Sequence, residues 1–313
     1  MAEPINYSLE VSQLFQNQMK DWSFMANNYK DLDKIRIKKL EFPNFYMNVQ
    51  FNPARIKSSA AKVDKQSIEN RSCFLCTENR PKEQQAIEFE DNLLIMINPY
   101  PIFKNHLTIT HKEHVPQLIK GNFKSMLKLA EALPEFTIFY NGPRSGASAP
   151  DHFHFQAGSK NDMPIDSQLE DLKNHYSLLI KDGICKVWKI NDDIRKFILI
   201  QSSEADKIEN KFDEIYTKLL LLKSTADEPD LNILCSFDKN EWNVMIFPRG
   251  GHRPRQFYAG GEENIVFSPA SVDLGGLIII PLEKDFGKIN KPVIEDMMRQ
   301  IALNDMLFSE LKL

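Results

Sequence analysis

The chain has 313 residues, a formal net charge of −4, 42% hydrophobic and 26% charged residues. That size and balance describe a globular protein of two domains or one large one, able to bury a sizeable core. They give no support to general nucleic-acid or membrane-surface affinity, and no apolar run approaches membrane-spanning length. The stretch MAEPINYSLE lacks a basic segment followed by an apolar run, so no signal peptide is expected. Four cysteines in a chain this long argue against a secreted disulfide framework, and a cytoplasmic setting is expected.

In chain order, Val11, Leu14, Phe15, Met19, Trp22 and Met25 recur at helical spacing and predict one amphipathic helix over residues 8–30. FYMNVQF (45–51) alternates as a strand, and NPARIKSSAAKVDKQSIENRS reads as a loop. AIEFEDNLLIMINP predicts two strands around a turn at Asp91-Asn92, and NHLTIT a further strand. FKSMLKLAEAL (123–133) is a helix, FTIFYN (136–141) a strand, and DMPIDSQLEDLKN a connector. KVWKI and KFILIQS are strands around Asn191-Asp192-Asp193, followed by a helix over SSEADKIENKFDEIYTKLLLLK. LNILCSF and EWNVMIF form a hairpin-like pair, GGLIIIP a buried strand and KPVIEDMMRQIALNDMLFSEL a closing helix. Two units, 1–170 and 171–313, are expected. LTITHKEHVPQ (107–117) and VMIFPRGGHRPRQ (244–256) share a strand, a basic residue, then His, one residue and Pro. That echo suggests two related α+β halves, of which only the first carries His-x-His.

The stretch DHFHFQAGS (151–159) alternates between two chemistries. Side chains of a strand point to opposite faces, so Phe153 and Phe155 would face a core while His152, His154 and Gln156 line the other face. Neighbours in that polar row would lie roughly 6–7 Å apart, enough to hold a metal at one end and a phosphate along the rest. Cys73-x-x-Cys76 supplies two thiolate ligands of a tetrahedral zinc site, and the other two must come from elsewhere, with His106, His111, His114 and His152 as candidates. His175, on a polar helix, reads as a surface residue.

KNHLTITHKEHV resembles the G-H-x-φ-x-φ-x-K-x-H-V segment of the histidine-triad superfamily, and DHFHFQ resembles the His-x-His-x-Gln of its transferase branch. That branch holds galactose-1-phosphate uridylyltransferases, diadenosine tetraphosphate phosphorylases and GDP-hexose phosphorylases. CFLC, INPYP, NHLTITHKEHV and GASAPDHFHFQAG follow the superfamily's order over residues 73–158, and SPASVDLGGLIIIPLEKDF resembles the closing part of GDP-hexose phosphorylases more weakly. Asp151 stands between Pro150 and His152, and Phe153 rather than Pro separates the histidines. Both departures point away from a uridylyltransferase and towards the GDP-hexose phosphorylases.

The resemblance implies an α+β fold with a histidine-triad-like antiparallel sheet, flanking helices and two related halves. It implies a nucleotidyltransferase of phosphorylase type acting on a GDP-hexose-like nucleotide sugar through a covalent nucleotidyl-histidine, with phosphate or a sugar phosphate as acceptor, or alternatively a dinucleoside polyphosphate phosphorylase or hydrolase. His154 maps to the nucleophile, and Gln156 on its face can donate to the phosphoryl oxygens. His152 joins Cys73, Cys76 and His114 at zinc. Asn98 falls at the ribose position and His106 beside the phosphates. Ser148 and Arg144 in GPRSGASAP, and Arg253 and Arg255 in RGGHRPR, are candidate anion contacts. His111 has no assigned role and is expected to be solvated. A nucleotide-binding regulator without turnover and a zinc-stabilised interaction module are the competing expectations; neither requires an intact nucleophile. No nucleic-acid or membrane partner is expected, and a chain holding both halves can be a monomer or a homodimer.

Overall fold

The computed structural model describes residues 5–56, 64–181, 183–223 and 227–313. Alternating apolar segments build two sheets. The smaller joins β1 (Arg36–Glu41), β2 (Tyr46–Phe51) and the late strand β13 (Leu277–Ile280), which runs parallel to β2. The larger holds β3 (Ala86–Phe89), β4 (Leu93–Ile97), β5 (His106–His111), β6 (Phe136–Asn141) and β7 (His154–Ser159) from the first half. From the second come β8 (Ser177–Lys181), β9 (Cys185–Asn191), β10 (Lys196–Ser202), β11 (Leu231–Asp238) and β12 (Glu241–Pro248).

Across the larger sheet the order is β3-β4-β5-β7-β6-β11-β12-β10-β9-β8, antiparallel throughout. Counted inward from each edge, both halves run first, second, third, fifth, fourth strand, and they meet at the β6–β11 pair, where Phe139 faces Leu234. The two halves therefore repeat one topology within a single sheet. The counterpart of β5 is β10, and that of β7 is β12. The echo between residues 107–117 and 244–256 thus joins non-equivalent strands, and its few matching residues carry no structural correspondence.

Each face of the sheet has its own core. Helices α1 (Tyr7–Asp21), α2 (Ser23–Lys30), α3 (Phe123–Ala132) and α5 (Ala205–Lys223), the last numbered after α4 (Pro164–Tyr176), cover one face. There Phe153, Phe155 and Ile109 pack with Met25, Leu127 and Phe212. The small sheet, α4 and α6 (Lys291–Ile301) cover the other face of the second half, where Met245, Phe247 and Leu199 meet Val49, Ile278, Leu169 and Met297.

Several local expectations are corrected. The helix expected over 8–30 is two helices, because Trp22 leaves helical backbone (φ −121°, ψ 85°). The expected connector is α4, begun by Pro164 at its first position with Asp166 in the first turn, both start signals. The closing helix divides into α6 and α7 (Asp305–Glu310), since Ala302 pairs with Arg249 as an isolated bridge and Asn304 caps α7. The edge strands β1 and β8, polar or exposed over much of their length, carry little of the burial signal. No helix among the described residues is long and apolar enough to cross a membrane.

Gly158 lies on β7, where a Cβ would come within 2.6 Å of the Phe103 ring. Gly158→Val should cost about 1–3 kcal/mol in urea unfolding. Gly287→Ala, whose Cβ meets nothing within 4 Å in the helix Glu283–Lys288, should be neutral or up to about 1 kcal/mol stabilising.

Candidate active site

The polar row of β7 is built as its alternation requires. Phe153 and Phe155 are buried edge to face on the helical side, with ring centroids 4.9 Å apart. His152 closes a cluster at one end, and His154 and Gln156 line a cleft of about 490 Å³.

Cys73, Cys76, His114 and His152 bring their ligand atoms within 4.8 Å of one another. Cys73 Sγ lies 3.4 Å and Cys76 Sγ 3.5 Å from His152 Nδ1, and Cys76 Sγ lies 3.2 Å from His114 Nδ1. A tetrahedron with zinc–sulfur and zinc–nitrogen arms has S···N edges of about 3.6 Å, so the spacing fits. Around the cluster, His152 Nε2 donates to the His111 carbonyl at 2.9 Å, which leaves Nδ1 free to ligate. Asp151 lies 3.8 Å from His114 Nε2 and is itself held by Arg71 at 2.5 Å. The residue that departs from the uridylyltransferase pattern thus places a carboxylate beside His114. Burial, then the neighbouring Cys73, pushes the Cys76 thiol up to about 11, so its thiolate forms readily only with a cation beside it. These four residues can hold a metal, and the Cys₂His₂ set suits zinc.

His154 follows two residues on. Its Nδ1 lies 2.9 Å from the His152 carbonyl, so Nδ1–H donates and Nε2 keeps the lone pair. Burial lowers its pKa to about 4, leaving the ring neutral near pH 7. Opposite it, Thr110 and Thr108 of β5 pair with His154 and Gln156.

Sequence reasoning put His106 beside the phosphates. The structure buries it completely and keeps it out of the cleft. The Ile102 N–H donates to His106 Nδ1 at 3.2 Å, so Nε2 carries the proton and donates to Gln156 Oε1 at 2.9 Å. That bond turns the Gln156 amide nitrogen towards the cleft, and His106 acts one step behind it.

The other candidates divide. Asn98 lines the main cleft, held by Nδ2 donation to Thr108 Oγ1 (2.8 Å) and by the Tyr100 N–H on its Oδ1 (2.9 Å). Ser148 lines the main cleft and a smaller neighbouring one formed with second-half residues. Its loop is packed, not loose: a Cβ on Gly146, at φ +97°, would meet Ala270 at 2.7 Å. Arg253 lines the smaller cleft, bonded to Ser268 Oγ at 2.8 Å and lying over Phe257. Arg144 lies outside both, engaged by Asp230 at 2.7 Å and by the Glu228 carbonyl. Arg255 also lies outside, held in a surface fork by Asp296 at 2.8 and 3.2 Å. Carboxylates close to both guanidinium groups account for their absence from the site.

Arg55 was missed. It follows β2 in the short turn Pro53–Arg55, donates to the Tyr100 carbonyl at 2.7 Å, and lines both clefts beside Gln156. Burial lowers its pKa to about 10, so it remains a cation at neutral pH. Nothing local marks it, because β2 reaches β7 only through tertiary contacts. Phe74 and Leu75, between the two cysteines, form a wall of the main cleft.

Comparison with known proteins fits this geometry. Residues 14–159 match a family model described as a domain of unknown function, DUF4922. Residues 168–313 match the model described as GDPGP1-like, C-terminal domain. The second half is thus similar to a GDPGP1-like C-terminal domain. Yeast Ap4A phosphorylase Apa2 in complex with AMP shares the fold at a TM-score of 0.60 and 15% identity, over 92% of this chain and 97% of that one. The same enzyme in complex with Ap4A aligns at 0.58 and 15% identity, over 90% and 96%. No curated protein matches the sequence. The fold is the one shared with that yeast enzyme, α+β with two repeated halves around one large antiparallel sheet.

His106 gives the protein a pH signature. Burial, then the charge of Arg55, lowers its pKa to about 3. The unfolded chain binds a proton there below about pH 6.5 and the folded chain does not, so stability falls as pH drops. Between pH 7 and 5 this one group removes about 2 kcal/mol. His106→Asn keeps an acceptor for the Ile102 N–H and should make that loss smaller by the same amount in urea titrations.

Proposed function

We propose that the chain is a nucleotidyltransferase of phosphorylase type acting on a GDP-hexose-like nucleotide sugar through a covalent nucleotidyl-histidine on His154. The observation that carries this reading is the pair His154 and Gln156. One offers a neutral Nε2 lone pair at a cleft of ligand size, and the other an amide nitrogen turned to the same cleft.

In the first displacement, His154 Nε2 attacks the α-phosphorus. A P–N bond forms, the bond from phosphorus to the bridging oxygen breaks, and hexose 1-phosphate leaves. In the second, an oxygen of inorganic phosphate attacks the same phosphorus, the P–N bond breaks, the nucleoside diphosphate departs and the neutral imidazole returns. Gln156 and Arg55 stabilise charge on the non-bridging oxygens. Asn98 meets the ribose, and the base lies against Phe74 and Leu75. Ser148 and Arg253 serve the leaving group and acceptor in the smaller cleft. A zinc ion at Cys73, Cys76, His114 and His152 supplies structure, tying the cleft wall to the strand that carries His154.

A dinucleoside polyphosphate is the second reading, supported by the fold shared with Ap4A phosphorylase. Product analysis with GDP-glucose and Ap4A, each with and without phosphate, separates the two. A protein that binds both and converts neither is a regulator.

Freshly purified protein should contain one zinc per chain. Cys73→Ser should lose it and, because Phe74 and Leu75 line the cleft, weaken GMP binding at least about tenfold by calorimetry. Zinc-free wild type with unchanged GMP affinity contradicts this.

Protein quenched during turnover should carry a nucleotidyl adduct on the peptide containing His154. His154→Asn should abolish turnover, and Gln156→Ala should lower it about 10²–10³-fold. Full activity in His154→Asn sinks the reading.

A further inference from the structure

The β6–β7 ladder stops short of the nucleophile. It pairs Phe136 with Ser159 through Phe139 with Gln156, and then ends. Two residues further on, the side chain of Gln117 lies between Asn141 and His154. Gln117 Nε2 donates to the Asn141 carbonyl at 3.0 Å and to the His154 carbonyl at 2.9 Å, while Oε1 accepts from the His154 N–H at 2.7 Å. One side-chain amide thus replaces a strand neighbour, and both backbone polar groups of His154 depend on it.

Gln117 is itself immobilised. It is completely buried, its N–H donates to the Pro150 carbonyl at 3.3 Å, and its carbonyl accepts from Tyr140 Oη at 2.9 Å. Tyr140 in turn bonds Glu228 at 2.5 Å, and Glu228 accepts from the Ile119 N–H at 2.6 Å. The imidazole of His154 is held from its own peptide segment, through Nδ1–H to the His152 carbonyl. Whatever fixes the 152–154 backbone therefore fixes the ring tautomer and the direction of Nε2.

We propose that Gln117 is a positioning residue: its side-chain amide, standing in for a missing β-ladder pair, holds His154 in the Nδ1–H tautomer with Nε2 aimed at the cleft. The catalytic part of this rests on His154 being the nucleophile.

The test uses the full-length protein. Gln117→Asn keeps both polar groups but cannot span the gap, and Gln117→Met keeps bulk without them. Histidine ¹⁵N NMR should report His154 as the Nδ1–H tautomer in the wild type and a mixture in both variants. The rate of adduct formation on His154 should fall about 10–100-fold, with KM for the nucleotide within about twofold. An unchanged tautomer and rate in a folded variant, or a lower melting temperature alone, overturns the proposal. Wild-type protein that forms no adduct on His154, with the tautomer still shifting in the variants, overturns the catalytic part together with the nucleophile reading. Should both variants fail to fold, amide exchange in the wild type decides. The His154 N–H should exchange as slowly as the ladder amides of β7, and rapid exchange overturns the clamp.

Discussion

Strand β7 must satisfy two environments at once. Phe155 and the preceding Phe153 complete the larger core under the helices, while His154 and Gln156 of the same six-residue run, with His152 just before it, face the Cys₂His₂ cluster and the cleft. Because the side-chain period of a strand is two, a slip of one residue would bury the histidines among phenylalanines and expose the rings. The aromatic packing thereby locks the register of the chemistry.

Burying that polar row has a second consequence. A buried donor or acceptor left without a partner costs about 1–3 kcal/mol, so each group in the row needs one. His152 Nε2 has the His111 carbonyl, His154 Nδ1 has the His152 carbonyl, and His106 has the Ile102 N–H and Gln156. These partners do more than offset desolvation. Each selects one tautomer, and together they leave Nδ1 of His152, Nε2 of His154 and the Gln156 amide nitrogen free for other partners.

The repeated halves differ where it matters. On the face where β7 carries His154 and Gln156, β12 carries Met245 and Phe247, sealed beneath β2, β13, α4 and α6. One half keeps the polar row and the other fills it with core. The filled half still contributes, since Arg253 and Ser268 form one side of the smaller cleft. The smaller cleft is therefore lined by residues of both halves of the same chain.

The sequence by itself determined the parts governed by local periodicity and ligand chemistry. Alternation over residues 153–156 gave the two faces of β7, Cys73-x-x-Cys76 marked half of a metal site, and most strands of the large sheet were legible from their apolar runs and turns. Family resemblance then pointed to His114 and His152, which the fold brings to the two cysteines as a cluster that could hold a metal. What only the tertiary structure decided depends on contacts between distant segments. Arg55 enters the site because β2 stacks on a sheet formed by residues far along the chain. Arg144 and Arg255 leave it because Asp230 and Asp296 come close to them in the fold. Gln117 looks like an ordinary polar residue until the strands assemble around it, and the place of His106 behind Gln156 appears only then. A hydrogen-bond partner tens of residues away has no period or spacing in the chain, so roles that rest on such partners appear only once the chain has folded.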